Sequence, residues 1–322
     1  MPRLAAVGTF TADIIISGLS RIAGPGEVVY LESPVELRLG GHAVNVSIDS
    51  VRLGFDGEVF GVGAVGRDVF GDILIRGLED EGVKAMVERV GVGTARNAII
   101  VFRGEDRRFH VYLGANSRLS YSHVRRSLEE ASPSHLYMAL GYSRSLDSGA
   151  RDLLGSIRAS TEFILVDPAY TTQESVKALI PVLDLVDAIH LNVEELKMLT
   201  GAAGLEEALE RVKRLKALVT VTGDFGAIAV YRGRVIRQPR FRVEVVEPTG
   251  AGDAFCAGLL KAVAEAGPLM DYEEVKRALL YAQAAGAAAV TSVGATSGVT
   301  SDRVRELVES MGEEVLKATE VL

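Results

Sequence analysis

The feature that most constrains this chain is the alternation of short apolar runs with longer segments of helical spacing. Residues 4–7, 59–62, 135–139, 163–166, 188–191, 218–221 and 228–231 are such runs. Most lack the regular apolar–polar alternation of a strand with one wet face, so they predict strands buried on both sides. Between them, residues 44–53, 70–81, 148–160, 194–200, 205–215 and 251–266 carry the periodicity of amphipathic helices. Strands alternating with helices imply an α/β fold, a mostly parallel sheet covered on both faces. The alanine-rich segment 281–290 predicts a closely packed helix. Residues 301–322 predict a terminal helix capped by Ser301 or Asp302.

Two stretches break this rhythm. Residues 13–17 and 28–39 alternate apolar and polar side chains around Gly24-Pro25-Gly26, and residues 98–102 and 108–113 do so around Gly104-Glu105-Asp106. Both read as β-hairpins. They predict a small β-sheet projecting from the α/β body, with residues 1–12, 40–93 and 114–322 as the core and 13–39 and 94–113 as the projection.

Composition excludes several functions. A net charge of -8 and an isoelectric point near 5.3 leave no basic face to neutralise phosphates, so nucleic acid is not an expected partner. Cys256 is the single cysteine, which rules out an intramolecular disulfide and a paired-cysteine metal site. Met1 leads directly into a strand-like segment without a signal-peptide pattern, and no apolar run approaches the ~20 residues of a membrane helix. The expected location is the cytoplasm, with no membrane partner.

The chemistry-bearing residues lie in loops. Thr249-Gly250-Ala251-Gly252-Asp253 follows a strand-like segment, 241–246, and opens a helix. The first N–H groups of a helix have no partner within it, and the helix dipole favours negative charge there. Gly250, Ala251 and Gly252 therefore offer a nest for phosphate. Asp253 would repel an anion, but it could take the proton of a hydroxyl attacking beside the phosphate. Its plainer alternative is a helix cap.

Gly40-Gly41 permits close approach of a ligand to the backbone, and Asn45 lies one helical turn further on. Asp13 follows the first strand, where a carboxylate could bind a vicinal diol, although a turn-forming role is also open. Asn192 and Glu195 share one face of a helix start and could hold waters around Mg²⁺. They could equally be an N-terminal cap. Thr222-Gly223-Asp224-Phe225-Gly226 suits a nucleotide-contacting turn or a simple hairpin loop. Gly61-Val62-Gly63-Ala64-Val65-Gly66 fits the dinucleotide fingerprint, but the acidic group Glu79-Asp80-Glu81 ends a helix rather than the next strand. The five histidines show no metal-ligand spacing, and His190 reads as a core residue in a strand.

Taken in order, these motifs resemble the ribokinase family, also called the PfkB carbohydrate kinases. The resemblance spans nearly the whole chain: Gly40-Gly41 with Asn45, Gly63 through Gly71, Gly114-Ala115-Asn116, Asn192 with Glu195, Thr222-Gly223 with Gly226, and Thr249 through Asp253. It implies a Rossmann-like, mostly parallel sheet flanked by helices, with a small β-sheet lid. It also implies transfer of the γ-phosphoryl group of ATP to a hydroxyl, usually a hydroxymethyl, with Mg²⁺ as cofactor.

Carried onto this chain, the resemblance makes Asp253 the general base and the N–H groups of Gly250, Ala251 and Gly252 the anion hole. Asp13, Gly40, Gly41, Asn45 and Asn116 would bind the acceptor. Asn192, Thr222, Gly223, Gly226 and Gly294 would border the nucleotide. Glu195, through water, and Asn192 would serve Mg²⁺. A homodimer joined through the lid is also implied.

Two positions depart from the pattern. Glu247-Pro248 stands where many members have Asp-Thr, an aspartate that helps form a monovalent-cation site, so potassium activation stays open. His42 stands where ribokinases have lysine, so ribose itself is not fixed as the acceptor. Lid residues Phe102, Phe109 and Tyr112 could stack on a base, form the lid's own core or make a dimer seam. Arg96, Arg107 and Arg108 could clamp a phosphate. A sugar or sugar-acid kinase is the favoured reading. A nucleoside kinase of the adenosine, cytidine or inosine type comes second, and a 6-phosphofructokinase-type enzyme third. A catalytically inert sugar binder would have no need of a base at Asp253.

Overall fold

The computed structural model describes residues 1–102, 108–267 and 271–322; the expected turn at Gly104-Glu105-Asp106 and Arg107 lie outside them. In chain order the strands are β1 (Arg3–Val7), β2 (Thr11–Leu19), β3 (Glu36–Gly40), β4 (Glu58–Gly66), β5 (Lys84–Val90), β6 (Ala95–Phe102), β7 (Arg108–Tyr112), β8 (His135–Leu140), β9 (Phe163–Pro168), β10 (Ala188–Asn192), β11 (Leu218–Gly223), β12 (Gly226–Tyr231), β13 (Arg234–Pro239) and β14 (Glu320–Val321). The helices are α1 (His42–Arg52), α2 (Val69–Asp80), α3 (Tyr121–Ala131), α4 (Arg144–Ile157), α5 (Gln173–Leu179), α6 (Val193–Thr200), α7 (Leu205–Val212), α8 (Ala251–Ala266), α9 (Tyr272–Ala289) and α10 (Ser301–Lys317).

The large sheet runs β14-β13-β12-β11-β10-β9-β8-β1-β4-β5. It is parallel from β5 to β11 and antiparallel beyond. The expected apolar runs form its central strands, and their residues are buried. Helices α1 and α8 pack on the central strands with α9 beside α8, while α3, α5 and α6 cover other contacts of the same strands. Small side chains let α8 and α9 approach closely: a Cβ on Gly258 would stand 2.9 Å from the Ala282 Cα.

The second sheet has the order β3-β2-β6-β7. Its two halves join through a parallel β2–β6 pair. The first hairpin is shorter than the alternation predicts: β3 begins only at Glu36, and Val28 and Tyr30 are exposed. Pro34 lacks the N–H a ladder needs, which limits pairing before Glu36.

Other expectations also changed. Residues 241–246 form no strand; the Val246 N–H donates instead to the Val290 carbonyl at 2.8 Å, and β13 pairs with β14 on its outer side. The terminal helix stops at Lys317, and Glu320–Val321 becomes β14. Its cap is Thr300, whose hydroxyl accepts the Arg303 N–H at 3.2 Å, rather than Ser301 or Asp302. Among the described residues no helix is long and apolar enough to cross a membrane.

The dinucleotide fingerprint is a packing feature. Gly61 through Gly66 lie within β4, not in a loop before a helix. A Cβ on Gly63 would stand 2.2 Å from the Phe10 ring. Asp68 caps α2, accepting the Gly71 N–H at 3.0 Å and the Thr94 N–H at 2.8 Å. The motif thus ties α2 to the segment that enters the second sheet.

Candidate active site

Carboxyl ends of parallel strands are where α/β proteins gather ligands, and here they gather the chemistry-bearing loops. Asp253 lies in the first turn of α8, buried but for one edge. Its Oδ1 lies 2.8 Å from His42 Nδ1, and its Oδ2 accepts from Asn45 Nδ2 at 2.7 Å. His42 Nε2 faces the carbonyl of Ala169 at 2.7 Å. The helix cap is Gly250, with φ 80° and no capping side chain. A Cβ there would lie 2.2 Å from the Ala295 carbonyl oxygen, so the loop closes only around glycine.

The acceptor-side residues sit around this base. Gly41 has φ 99°, and a Cβ on it would lie 2.4 Å from the Thr9 carbonyl oxygen. The His42 N–H donates to Thr9 Oγ1 at 3.0 Å, which fixes the start of α1. Asp13 is within β2 of the second sheet, as the hairpin alternation of residues 13–17 implies, rather than at the carboxyl end of β1. Across the β2–β6 pair its Oδ1 accepts from Asn97 Nδ2 at 2.8 Å. Burial pushes Asp13 up to about 7; the Asn97 bond opposes this, and the charges of Glu247 and Asp253 add to it. A Cβ on Gly40 would strike the Asp13 carboxylate at 2.1 Å, so that glycine makes room for it. Asn116 accepts the Phe10 N–H at 2.9 Å and donates to Thr11 Oγ1 at 3.3 Å. Its amide therefore fixes the segment that carries Asp13.

Asn192 and Glu195 form a full capping box on α6. Asn192 Oδ1 accepts the Glu195 N–H at 2.9 Å, and Glu195 Oε2 accepts the Asn192 N–H at 2.8 Å. Thr171, missed by sequence reasoning, donates to Glu195 Oε1 at 2.6 Å. Burial and the Asp167 charge raise Glu195 above the usual carboxylate range. Asn192 and Glu195 are the residues here that could hold Mg²⁺ through water.

Thr222 and Gly223 end β11, and Gly223 pairs with Gly226 across the turn into β12. With Phe255, Gln283 and Ala287 they line a cavity of about 280 Å³. Gly294, with φ 98°, donates its N–H to Glu247 Oε2 at 2.7 Å. That bond ties the loop before α8 to the loop after α9.

Sequence reasoning missed Asp167 and undervalued two histidines. Asp167 ends β9 beside the base, and Tyr137 donates to its Oδ2 at 3.2 Å. His190 is buried as expected, yet its Nδ1 lies 3.4 Å from Asp167 Oδ2 and its Nε2 3.0 Å from Thr222 Oγ1. Burial opposes charge on the His190 ring, but the charge and hydrogen bond of Asp167, with the charges of Glu195 and Asp253, together raise the ring above its ordinary value. The same strand-end logic applied to Asp13 singles out Asp167. Buried Cys256 is no nucleophile, since burial and nearby Asp167 push its thiol up.

A model of the pfkB family carbohydrate kinases matches residues 1–302. Fructokinase-1 of Oryza sativa subsp. japonica is 27% identical over 318 residues, covering 92% of this chain and 96% of that protein. Ribokinase of Bacillus subtilis is 26% identical over 313 residues, covering 96% and 100%. Among solved structures, ribokinase from Thermotoga maritima superposes with a TM-score of 0.78 at 24% identity, covering 96% of this chain and all of that one. Adenosine kinase from Sinorhizobium meliloti gives 0.78 at 21% identity, covering 95% and 98%.

Proposed function

The chain belongs to the pfkB family of carbohydrate kinases, and from that membership we propose that it moves the γ-phosphoryl group of ATP onto a hydroxymethyl oxygen of a small sugar or sugar acid. The observation that carries this reading is a carboxylate, Asp253, held by His42 and Asn45 at the start of a helix that has no side-chain cap. Each Asp253 oxygen keeps a free lone pair for a substrate hydroxyl.

In this mechanism Asp13, Gly41 and Asn45 orient the acceptor. As the acceptor oxygen bonds to phosphorus, its O–H breaks and the proton passes to Asp253. The bond to the ADP oxygen breaks at the same time. The N–H groups of Gly250, Ala251 and Gly252 stabilise the charge gathering on the phosphoryl oxygens. The cavity beside Thr222 and Phe255 takes the base of ATP. Glu195 and Asn192 would hold Mg²⁺ through water, and the ion would supply positive charge to the phosphates. The second sheet acts as a lid that excludes water. Its exposed Phe109, Val111 and Tyr112 form the seam of a homodimer, tested by light scattering against concentration.

The direct bond from Glu247 to Gly294 supports activity that does not depend on potassium. Rates in potassium-free buffer should lie within about twofold of those with potassium. The two described lid arginines do not favour a sugar-phosphate acceptor: Arg96 stacks on Phe70 and Tyr112, and Arg108 on Phe102. That occupancy of Phe102 and Tyr112 also gives no support to a nucleoside acceptor.

The reading is tested by Asp253→Asn. It should lower kcat by about a thousandfold or more while ATP affinity stays nearly constant, since it removes proton transfer and leaves the nest intact. Near-normal turnover would remove Asp253 from the role of base.

A further inference from the structure

The protons of His42 can be counted from its contacts. Its Nε2 faces the Ala169 carbonyl at 2.7 Å, and a carbonyl only accepts. Nε2 therefore carries hydrogen. Its Nδ1 faces Asp253 Oδ1 at 2.8 Å. A single proton lies in that contact. If it sits on Asp253, the carboxyl is neutral and cannot take a proton from a hydroxyl. If it sits on His42, the ring is an imidazolium and the carboxylate is ready.

The surroundings favour the second state. Asp167 brings another carboxylate to the group, with ligand atoms of His42, Asp167 and Asp253 all within 4.8 Å. The groups facing the ring are Asp253 on α8, Asp167 and the Ala169 carbonyl at the end of β9, and Asn45 on its own helix, which bonds Asp253. Burial works against a charged ring, but the charge and hydrogen bond of Asp253, with Asp167 behind it, reverse this and raise His42 to about 10.

We propose that His42 is a positioning residue for phosphoryl transfer: its doubly protonated ring clamps the Asp253 carboxylate from one side while Asn45 clamps it from the other. The two donors meet different oxygens, so together they fix the carboxylate plane. The ring's charge stays in place as Asp253 gains the acceptor's proton. Lysine at this position would keep the charge but lose the flat, two-ended bridge between Asp253 and Ala169. This inference rests on the kinase reading for its catalytic consequence, but the state of the ring does not.

The test accordingly has two arms. Nitrogen-15 NMR of labelled histidine reads the ring directly, with His42→Gln assigning its signals among the five histidines. Both His42 nitrogens should remain protonated from about pH 5 to about pH 9, and Asp253→Asn should bring a titration into that range. A His42 that titrates near its ordinary 6.5 in the unaltered protein overturns the proposal, whether or not an acceptor is known. So does a ring unaffected by Asp253→Asn.

In the kinetic arm, His42→Ala should lower kcat at least tenfold, with the acceptor KM changed less than about threefold, and His42→Lys should restore part of the loss. A raised acceptor KM with unchanged kcat would assign His42 to acceptor binding and overturn positioning. If the unaltered protein phosphorylates nothing, the kinase reading fails while the NMR arm still decides the state of His42.

Discussion

Helices α6 and α8 both begin near the carboxyl ends of the parallel strands, and they treat their first turns in opposite ways. Helix α6 satisfies its own N-terminus with the reciprocal Asn192–Glu195 box. Helix α8 starts on Gly250, in a left-handed conformation, with no capping side chain. A capped start stabilises the helix by ~1 kcal/mol, and an uncapped one forgoes that. The difference separates two tasks within one site. On the proposed function, the α8 start, with no capping side chain, faces an incoming anion, while the α6 start presents a carboxylate held in its own capping box.

Three substitutions sharpen this contrast. The largest effect is expected from Gly250→Val. At φ 80° with the Ala295 carbonyl 2.2 Å from the new Cβ, the loop must shift and the nest must open. Steady-state kinetics should show kcat lowered by about a hundredfold, the scale of lost oxyanion donors. Unchanged turnover would mean that the start of α8 does not contact the transferring group.

Asn192→Ala should break the α6 box and cost ~1 kcal/mol, read as a lower melting temperature. The Mg²⁺ concentration for half-maximal rate should rise with it. Loss of stability alone would leave α6 a capped helix and nothing more.

The smallest effect concerns pH. Asp13 is raised from 3.8 to about 7, so its contribution to stability is full below 3.8 and lost as pH rises through about 7. Asp13→Asn cannot ionise. Its melting temperature relative to the unaltered protein should therefore rise between about pH 5 and about pH 8. A pH-independent difference would contradict the burial of Asp13 as a charge.

Much of this was legible before the structure. The central strands and most helices follow from apolar runs and local spacing, which are short-range properties. The glycine–aspartate loop at α8 and the Gly40-Gly41 turn are local motifs too, so Asp253 and Asn45 could be singled out. Partnerships were less visible. His42 and Asp253 are 211 residues apart, and no spacing rule joins them. Asp167 lies just past the apolar run 163–166, and its value depends on what the neighbouring strand and α8 bring to it. Residues 241–246 have strand character, yet Val246 bonds the Val290 carbonyl at the end of α9, a long-range partnership that local pattern does not show. Asp13 reads both as the residue after the first strand and as the start of the hairpin, because the short gap between β1 and β2 hides the passage from one sheet to the other.

The most direct test is an acceptor panel with ATP and Mg²⁺, followed by phosphorus NMR of the products. It would include ribose, fructose, 2-keto-3-deoxygluconate, fructose 6-phosphate, inositol, adenosine and cytidine. A sugar or sugar acid should yield a phosphate monoester at its hydroxymethyl group, with ADP formed in equal amount and little ATP hydrolysis without acceptor. ATP hydrolysis at the same rate with and without every acceptor, and no monoester from any of them, would contradict the assignment of Asp253 and its nest to phosphoryl transfer.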